Sequence, residues 1–297
     1  MQMKTKILII LIILITLGVG GFFLYSSIPQ QVHNKDVSGI LVRNQIWSGQ
    51  INVIGDILVM PWVTLTILPG TTVIVSANKD TNNLFGRETC DGIKNYDMLI
   101  GIKREDTYTC GVHLNEPYRD EKNHISIAIL GTLKAVGTEE NRIVFRSNSQ
   151  NPTMYDWNSF GIRNGILSYA NLENYRVIDT AGDVEISHNN LKNIGECGIC
   201  ANSDKAKILF NTISYAGHEL IDMHNSSPVI RQNNLGPNPD YSCITIDGGS
   251  PQVTGNTIEG CGSAISLLVP PSDPKFEDSL RKENTFLNNM NDIWYNY

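Results

Sequence analysis

The chain has 297 residues, of which 41% are hydrophobic and 18% charged, and its formal charge at neutral pH is −7. That composition excludes a disordered chain and leaves room for one large domain or two small ones. Lys and Arg form no cluster beyond Lys4 and Lys6, which speaks against a nucleic-acid partner held through its phosphates.

The chain opens on "ILIILIILITLGVGGFFLY", residues 7–25, an uncharged and almost wholly apolar run. As a helix it spans about 28 Å, close to the hydrocarbon thickness of a bilayer. Lys4 and Lys6 precede it, so the expected topology keeps the N-terminus in the cytoplasm and sends the remainder across. A cleaved signal peptide is the alternative, with a secreted chain as its product. It fits less well, because the run is longer than a signal core and "FFLYSSIPQ" offers no small-x-small cleavage site. The expected organisation is therefore a cytoplasmic start and membrane anchor or signal over 1–29, a linker and cap over 30–46, and an extracytoplasmic body over 47–297. The membrane, through residues 7–25, is one expected partner. Six cysteines suit that compartment.

Residues 47–75, "WSGQINVIGDILVMPWVTLTILPGTTVIV", alternate apolar and polar residues and turn at Gly55-Asp56, Met60-Pro61 and Pro69-Gly70, which predicts short strands. A polar stretch follows, at about 78–123. Cys90 and Cys110 lie in it and are the best disulfide candidates, a closure of about 20 residues worth roughly 3 kcal/mol in the chain-entropy view. Alternation resumes in "HISIAILGTLKAVGTEENRIVFRSN", residues 124–148.

From residue 178 onward the chain repeats itself. "NNL", "NTI", "NNL", "NTI" and "NTF" begin at Asn189, Asn211, Asn233, Asn256 and Asn284, with Ile186, Ile208, Ile230 and Val253 three places before the first four. A second ladder runs through Ile178, Ile199, Ile221, Ile244 and Ile265. Both have a period of about 22 residues, with a longer last step in the first. Leucine-rich repeats lack a match in leucine count, and the frequent Gly, Asn and Pro forbid helical repeats. A parallel solenoid of short strands remains, each strand pairing with its copy about 4.8 Å along the axis. The recurring Asn is expected to form an architectural ladder of side-chain amides, helped by its tolerance of left-handed backbone and of bends.

These phrases resemble a family. "VTLTILPGTTV", "ILGTLKAVGTEENRIVF" and "YDWNSFGI" are similar to the opening coils of extracellular right-handed β-helix proteins of the pectate-lyase-like superfamily, and the "NTI" repeats to that superfamily's β-helix repeat. The resemblance covers about 45–78 and 124–290. It implies an all-β fold, a right-handed parallel β-helix following the transmembrane segment. It leaves the activity open among lyases, hydrolases, epimerases, adhesins and non-catalytic scaffolds. The polar stretch at 78–123 departs from the family pattern and reads as an insertion or long loop. "PPSDPKFEDS", 270–279, is a shorter one that accounts for the long last step. The closing "NNMNDIWYNY" offers aromatic residues to cap the final coil.

The segment "AGHELIDMH", 216–224, concentrates His218, Glu219, Asp222 and His224. A zinc-protease His-Glu-x-x-His is absent, since Asp222 stands where its second His belongs. Because Ile221 belongs to the ladder, the segment reads as a strand, with Ile221 and Met223 inward and Leu220, Asp222 and His224 outward. Applying that register to neighbouring coils gives two outward columns. One holds Asp179, Cys200, Asp222, Thr245 and Ser266, the other Ala181, Asn202, His224, Asp247 and Leu268. Asp222 and Asp247, on adjacent coils about 8 Å apart, are compatible with inverting glycoside hydrolysis. His224 between them is the candidate general base, or the partner that keeps one Asp ionised. The expected catalytic set is Asp222, His224 and Asp247, and the expected substrate-binding set Asp179, Cys200, Asn202 and Thr245.

"DMHN" is similar in its Asp and His to the Asp-Pro-His-Asp signature of alginate epimerases. No outward Arg falls beside Asp222 in this register, which speaks against a standard lyase. Cys197-x-x-Cys200 matches half a zinc knuckle or a redox motif, but a second pair is missing, and a structural role is expected. No cofactor or metal is required by the sequence, although a divalent ion suits Asp222, His224 and Cys200 by ligand type. The expected function is binding or processing of polysaccharide or another cell-envelope glycan. The alternative is a non-catalytic envelope scaffold.

Overall fold

The structure, a computed structural model, describes residues 28–86, 98–100 and 123–296. The apolar run at 7–25, Cys90 and Cys110 lie outside the described residues. Among the described residues no helix is long and apolar enough to cross a membrane.

Among the described residues, twenty-three strands wind into one solenoid in which every pairing is parallel, each strand matched to its copy one coil away. Three sheets result. One stacks Ile57, Ile127, Phe160, Ile178, Ile199, Ile221, Ile244, Ile265 and Ile293 in a single register. A second aligns Ile186, Ile208, Ile230 and Val253. The third aligns Leu172, Leu191, Ile213, Leu235, Ile258 and Phe286. Both ladders read from the sequence therefore line the interior. The inward members of the first two are buried, as are Trp47, Phe145, Trp157 and Tyr175 in the earlier coils. Burial of this continuous apolar column is what holds the coils together.

The winding begins earlier than the sequence suggested. Gln30–Leu41 pairs in parallel with Gln45–Val59 along its length, so residues 30–41 form a first coil where a linker and cap were expected. At the other end, Asn291–Tyr295 is one more strand on Cys261–Leu267, and Trp294 and Tyr295 remain exposed on it. These aromatic residues extend the sheet; they do not fold over its edge. The long last step of the repeat is taken up by a helix, Phe276–Glu283, which buries Leu280 and packs Phe276 on the core.

The asparagine ladder joins the second sheet to the third. Oδ1 of Asn233 accepts from the backbone N–H (2.8 Å) and the amide Nδ2 (3.0 Å) of Asn211. Nδ2 of Asn233 donates to the Ile208 carbonyl (2.9 Å) and to Oδ1 of Asn256 (2.9 Å). Asn189, Asn211 and Asn256 repeat the pattern, and Asn284 closes it. The left-handed residue at this bend is the one before the Asn: His188, Phe210, Gln232 and Gly255 have φ of 57°, 56°, 56° and 66°. The ladder Asn is thus selected for its paired donor and acceptor, and its backbone tolerance matters elsewhere, as at Asn174, Asn193 and Asn225.

The polar insertion returns to the first sheet. Its residues Leu99 and Ile100 pack with Phe85 on the outer side of Leu58, Ala128 and Leu130. Gly161 accommodates that cover, since a Cβ there would lie 2.9 Å from Ile100 Cγ2. Asp56 pins the start of the insertion by accepting from the N–H of Ser126 (2.7 Å) and of Phe85 (3.3 Å). Burial pushes its carboxyl up to about 7, with Asp80 nearby adding to the effect.

The ladder gives a direct test. Asn233→Ala leaves several buried donors and acceptors without partners and is expected to cost about 3 kcal/mol in urea unfolding. Asn190→Ala removes only an exposed amide bond to Asn171 and is expected to cost about 0.5 kcal/mol or less.

Candidate functional site

The outward column of the first sheet changes character along the axis. It runs Leu58, Ala128 and Gly161 beneath the insertion, then Asp179, Cys200, Asp222, Thr245 and Ser266. The described part of the cover, Phe85, Leu99 and Ile100, lies on the apolar stretch. Ile221–His224 is a strand, which settles the reading of "AGHELIDMH", and His224 pairs with Asp247 as Asp222 pairs with Thr245. The first column is thus aligned as expected, and in the second His224 stands beside Asp247.

One residue of that segment faces the other way. Leu220, expected outward with Asp222, is fully buried in the core beside Ile221. The chain rounds a corner at Glu219, so alternation fails there and two successive side chains enter the interior.

His224 joins the two carboxylates. Its Nε2 lies 3.0 Å from Asp222 Oδ2 and its Nδ1 2.9 Å from Asp247 Oδ2, while the ring itself is about half exposed. The hydrogen bond to Asp222 and the nearby negative charge push its pKa up to about 9, against a smaller effect of burial. At neutral pH the ring is an imidazolium that donates from both nitrogens. It therefore has no lone pair with which to act as the expected general base. The ring also fills the space between Asp222 and Asp247 in which an inverting hydrolase holds its water.

Of the four expected substrate-binding residues, Asp179, Cys200 and Thr245 are nearly inaccessible. Short side chains in a stacked column are shielded by their copies on either side, about 4.8 Å away. Cys200 is moreover bonded to Cys197, and both pack on Val177, so it contributes an apolar wall and not a polar contact. Asn202 is half-buried and donates to the Cys200 carbonyl (3.3 Å). The surface a ligand reaches first is therefore His224 and Asp247. Two buried polar atoms lie beneath it without hydrogen-bond partners, Asp222 Oδ1 and Thr245 Oγ1.

Sequence reasoning missed the charged corner beside this column. Arg176 Nε lies 3.3 Å from Glu196 Oε2, and His218 pairs with Glu219 through Nδ1 while its ring meets Tyr241 at 5.3 Å. That bond to Glu219 raises the His218 pKa, with Glu196 and Asp222 contributing. His218 and Glu219 were visible as part of a dense polar run, but strict strand alternation assigned them no common neighbours. Arg176 escaped because it stands three residues before Asp179, around the corner from the column. A second cystine, Cys243–Cys261, ties adjacent coils.

Residues 177–293 match the family model described as "Right handed beta helix region". The chain is a parallel β-helix repeat protein. Neither a curated protein nor a solved structure matches this β-helix protein. Two cystines are consistent with a non-reducing compartment.

A pH titration tests the bridge. Because the His224 pKa is raised on folding, its stabilising contribution is complete below about pH 6.5 and lost as pH rises through about 9. The difference in thermal midpoint between the native chain and His224→Gln is expected to shrink steadily across that window. A constant difference from pH 6 to 10 contradicts the bridging role.

Proposed function

We propose that this chain is a membrane-anchored, extracytoplasmic β-helix that binds a glycan on the sheet face around Asp222, His224 and Asp247, without turning it over. The observation that carries the reading is the engagement of both His224 nitrogens by carboxylates. The ring is thereby committed to shaping and charging the face, and is not free to act as an acid or base toward a glycosidic bond. The reachable carboxylate of Asp247 suits the hydroxyl groups of a sugar chain. Among the described residues of this face, His224 is about half exposed and Asp247 about a third.

The charges select the class of glycan. Asp179, Glu196, Glu219, Asp222 and Asp247 outnumber Arg176, His218 and His224 in this neighbourhood, and the whole chain is acidic. An acidic face repels polyuronates such as pectate or alginate and favours a neutral or amino-sugar polymer. This consideration outweighs the partial likeness of "DMHN" to alginate epimerases. Anchoring rests on the apolar run at 7–25 behind Lys4 and Lys6.

Isothermal titration of residues 28–297 with chitosan oligomers, neutral β-glucan oligomers and oligogalacturonate tests the reading. Saturable heat is expected from one of the first two and none from the third, and Asp247→Ala is expected to weaken binding at least tenfold, about 1.4 kcal/mol. Release of reducing ends or of unsaturated uronate overturns the non-catalytic reading. Heat from oligogalacturonate alone overturns the assigned glycan class, and no heat from any of the three overturns glycan binding. For the anchor, fractionation of cells is expected to place the full chain in the membrane, with its body digested by protease added from outside. Recovery of the full chain in the soluble cytoplasmic fraction contradicts that topology.

A further inference from the structure

Cys197 and Cys200 flank Gly198 and Ile199 at the entry to the strand Ile199–Ala201, on the coil before Asp222. Gly198 lets the chain turn closely there, since a Cβ on it would lie 2.5 Å from the Leu220 carbonyl oxygen. The register places Cys200 directly against Asp222. In consequence the two sulfurs and one Asp222 carboxylate oxygen all lie within 4.8 Å of one another. Among the described residues no other group of three such donors converges in this way.

We propose that Cys197, Cys200 and Asp222 form a binding site for a thiophilic divalent cation of the zinc class when the Cys197–Cys200 bond is reduced. Two thiolates and one carboxylate make a donor set that suits zinc or cadmium and not calcium or magnesium. Three protein ligands leave a further coordination position for water or an incoming ligand.

A second observation points to a cation at this place. Asp222 Oδ1 is buried and accepts no hydrogen bond, although a buried carboxylate oxygen ordinarily finds a donor. Its other oxygen is held by His224 Nε2 at 3.0 Å, the kind of outer hydrogen bond that orients a carboxylate ligand. Val177 packs on both cysteines, and Cys197 and Cys200 are 3% and 8% exposed, so water competes poorly for an ion there.

The two states exchange by balanced chemistry. A dithiol or phosphine reductant supplies two electrons, the sulfur–sulfur bond breaks, and the sulfurs take up two protons while the reductant is oxidised. Binding of the cation then displaces both thiol protons. A small-molecule disulfide reverses this by thiol–disulfide exchange: it takes the two electrons and leaves as two thiols, the cystine re-forms and the ion is released. The site shares Asp222 with the proposed glycan face, and the two readings are tested apart because the glycan titrations use the oxidised protein and the metal titrations the reduced one.

Anaerobic titration of the chain with cobalt(II), before and after reduction by tris(2-carboxyethyl)phosphine, tests this. The reduced protein is expected to take up one cobalt per chain, with sulfur-to-cobalt charge-transfer absorption and the intense visible bands of tetrahedral cobalt, displaced by zinc. The oxidised protein is expected to show neither. Cys200→Ser is expected to abolish the charge-transfer signal, and Asp222→Asn to weaken binding at least tenfold. The double variant Cys243→Ser/Cys261→Ser is expected to retain the signal in full. Circular dichroism checks that each variant keeps its strands. Absence of the signal in the reduced native chain overturns the proposal. So does its persistence in Cys197→Ser/Cys200→Ser, which moves the metal to other cysteines, and so does an unchanged affinity in Asp222→Asn.

Discussion

The asparagine amide ladder sets the terms for the rest of the molecule. A carboxamide carries a donor and an acceptor in one plane, so each ladder Asn accepts from one neighbour and donates to the next. Asp offers only acceptors when ionised, and Gln adds a methylene that breaks the geometry. The ladder therefore demands that every coil return to the same place at the same height. Residues beyond the basic period have to leave the coil, and they do so at the helix Phe276–Glu283, between Asn256 and Asn284. The apolar columns benefit from the same constraint, because Ile packs on Ile at every level.

Constant stacking also determines what the outer face can be. An outward side chain has its counterparts above and below it, so its neighbours are fixed by register and not by proximity in sequence. Short side chains bury one another, which is why Asp179 and Thr245 are hidden although they point outward. A long side chain stands above the floor and bridges coils, as His224 does between Asp222 on its own strand and Asp247 on the next. The imidazolium follows from that placement: two carboxylates surround a half-exposed ring and favour its charged form. The same logic brings Cys200 against Asp222 and leaves one carboxylate oxygen in an apolar recess.

The insertion gives the face its boundary. By laying Leu99, Ile100 and Phe85 over Leu58, Ala128 and Leu130, it buries the outer side of the sheet at those early coils. Asp56 ties the insertion down through a carboxyl whose ionisation burial opposes.

Two recurring residue types made the fold legible. The Ile and Asn periods contain the coil length, the inward face and the alignment of Ile178 through Ile265, because in a stacked array periodicity in sequence is adjacency in space. The columns containing Asp222, His224 and Asp247 followed from the same arithmetic. What periodicity does not carry is the behaviour of corners and the height of side chains. Leu220 turned inward, His218 and Glu219 paired, and Arg176 met Glu196 because the chain bends there and alternation no longer applies. Nor does the order of residues reveal that His224 is held by two carboxylates at once, that Cys200 is bonded to Cys197, or that residues near 100 cover a sheet formed by residues near 58, 128 and 161. Sequence by itself determined the winding and its register, since repeated apolar and amide positions allow only one stacking. Only the tertiary structure decided protonation, exposure and cover, since these depend on which side chains converge across coils and loops that share no period.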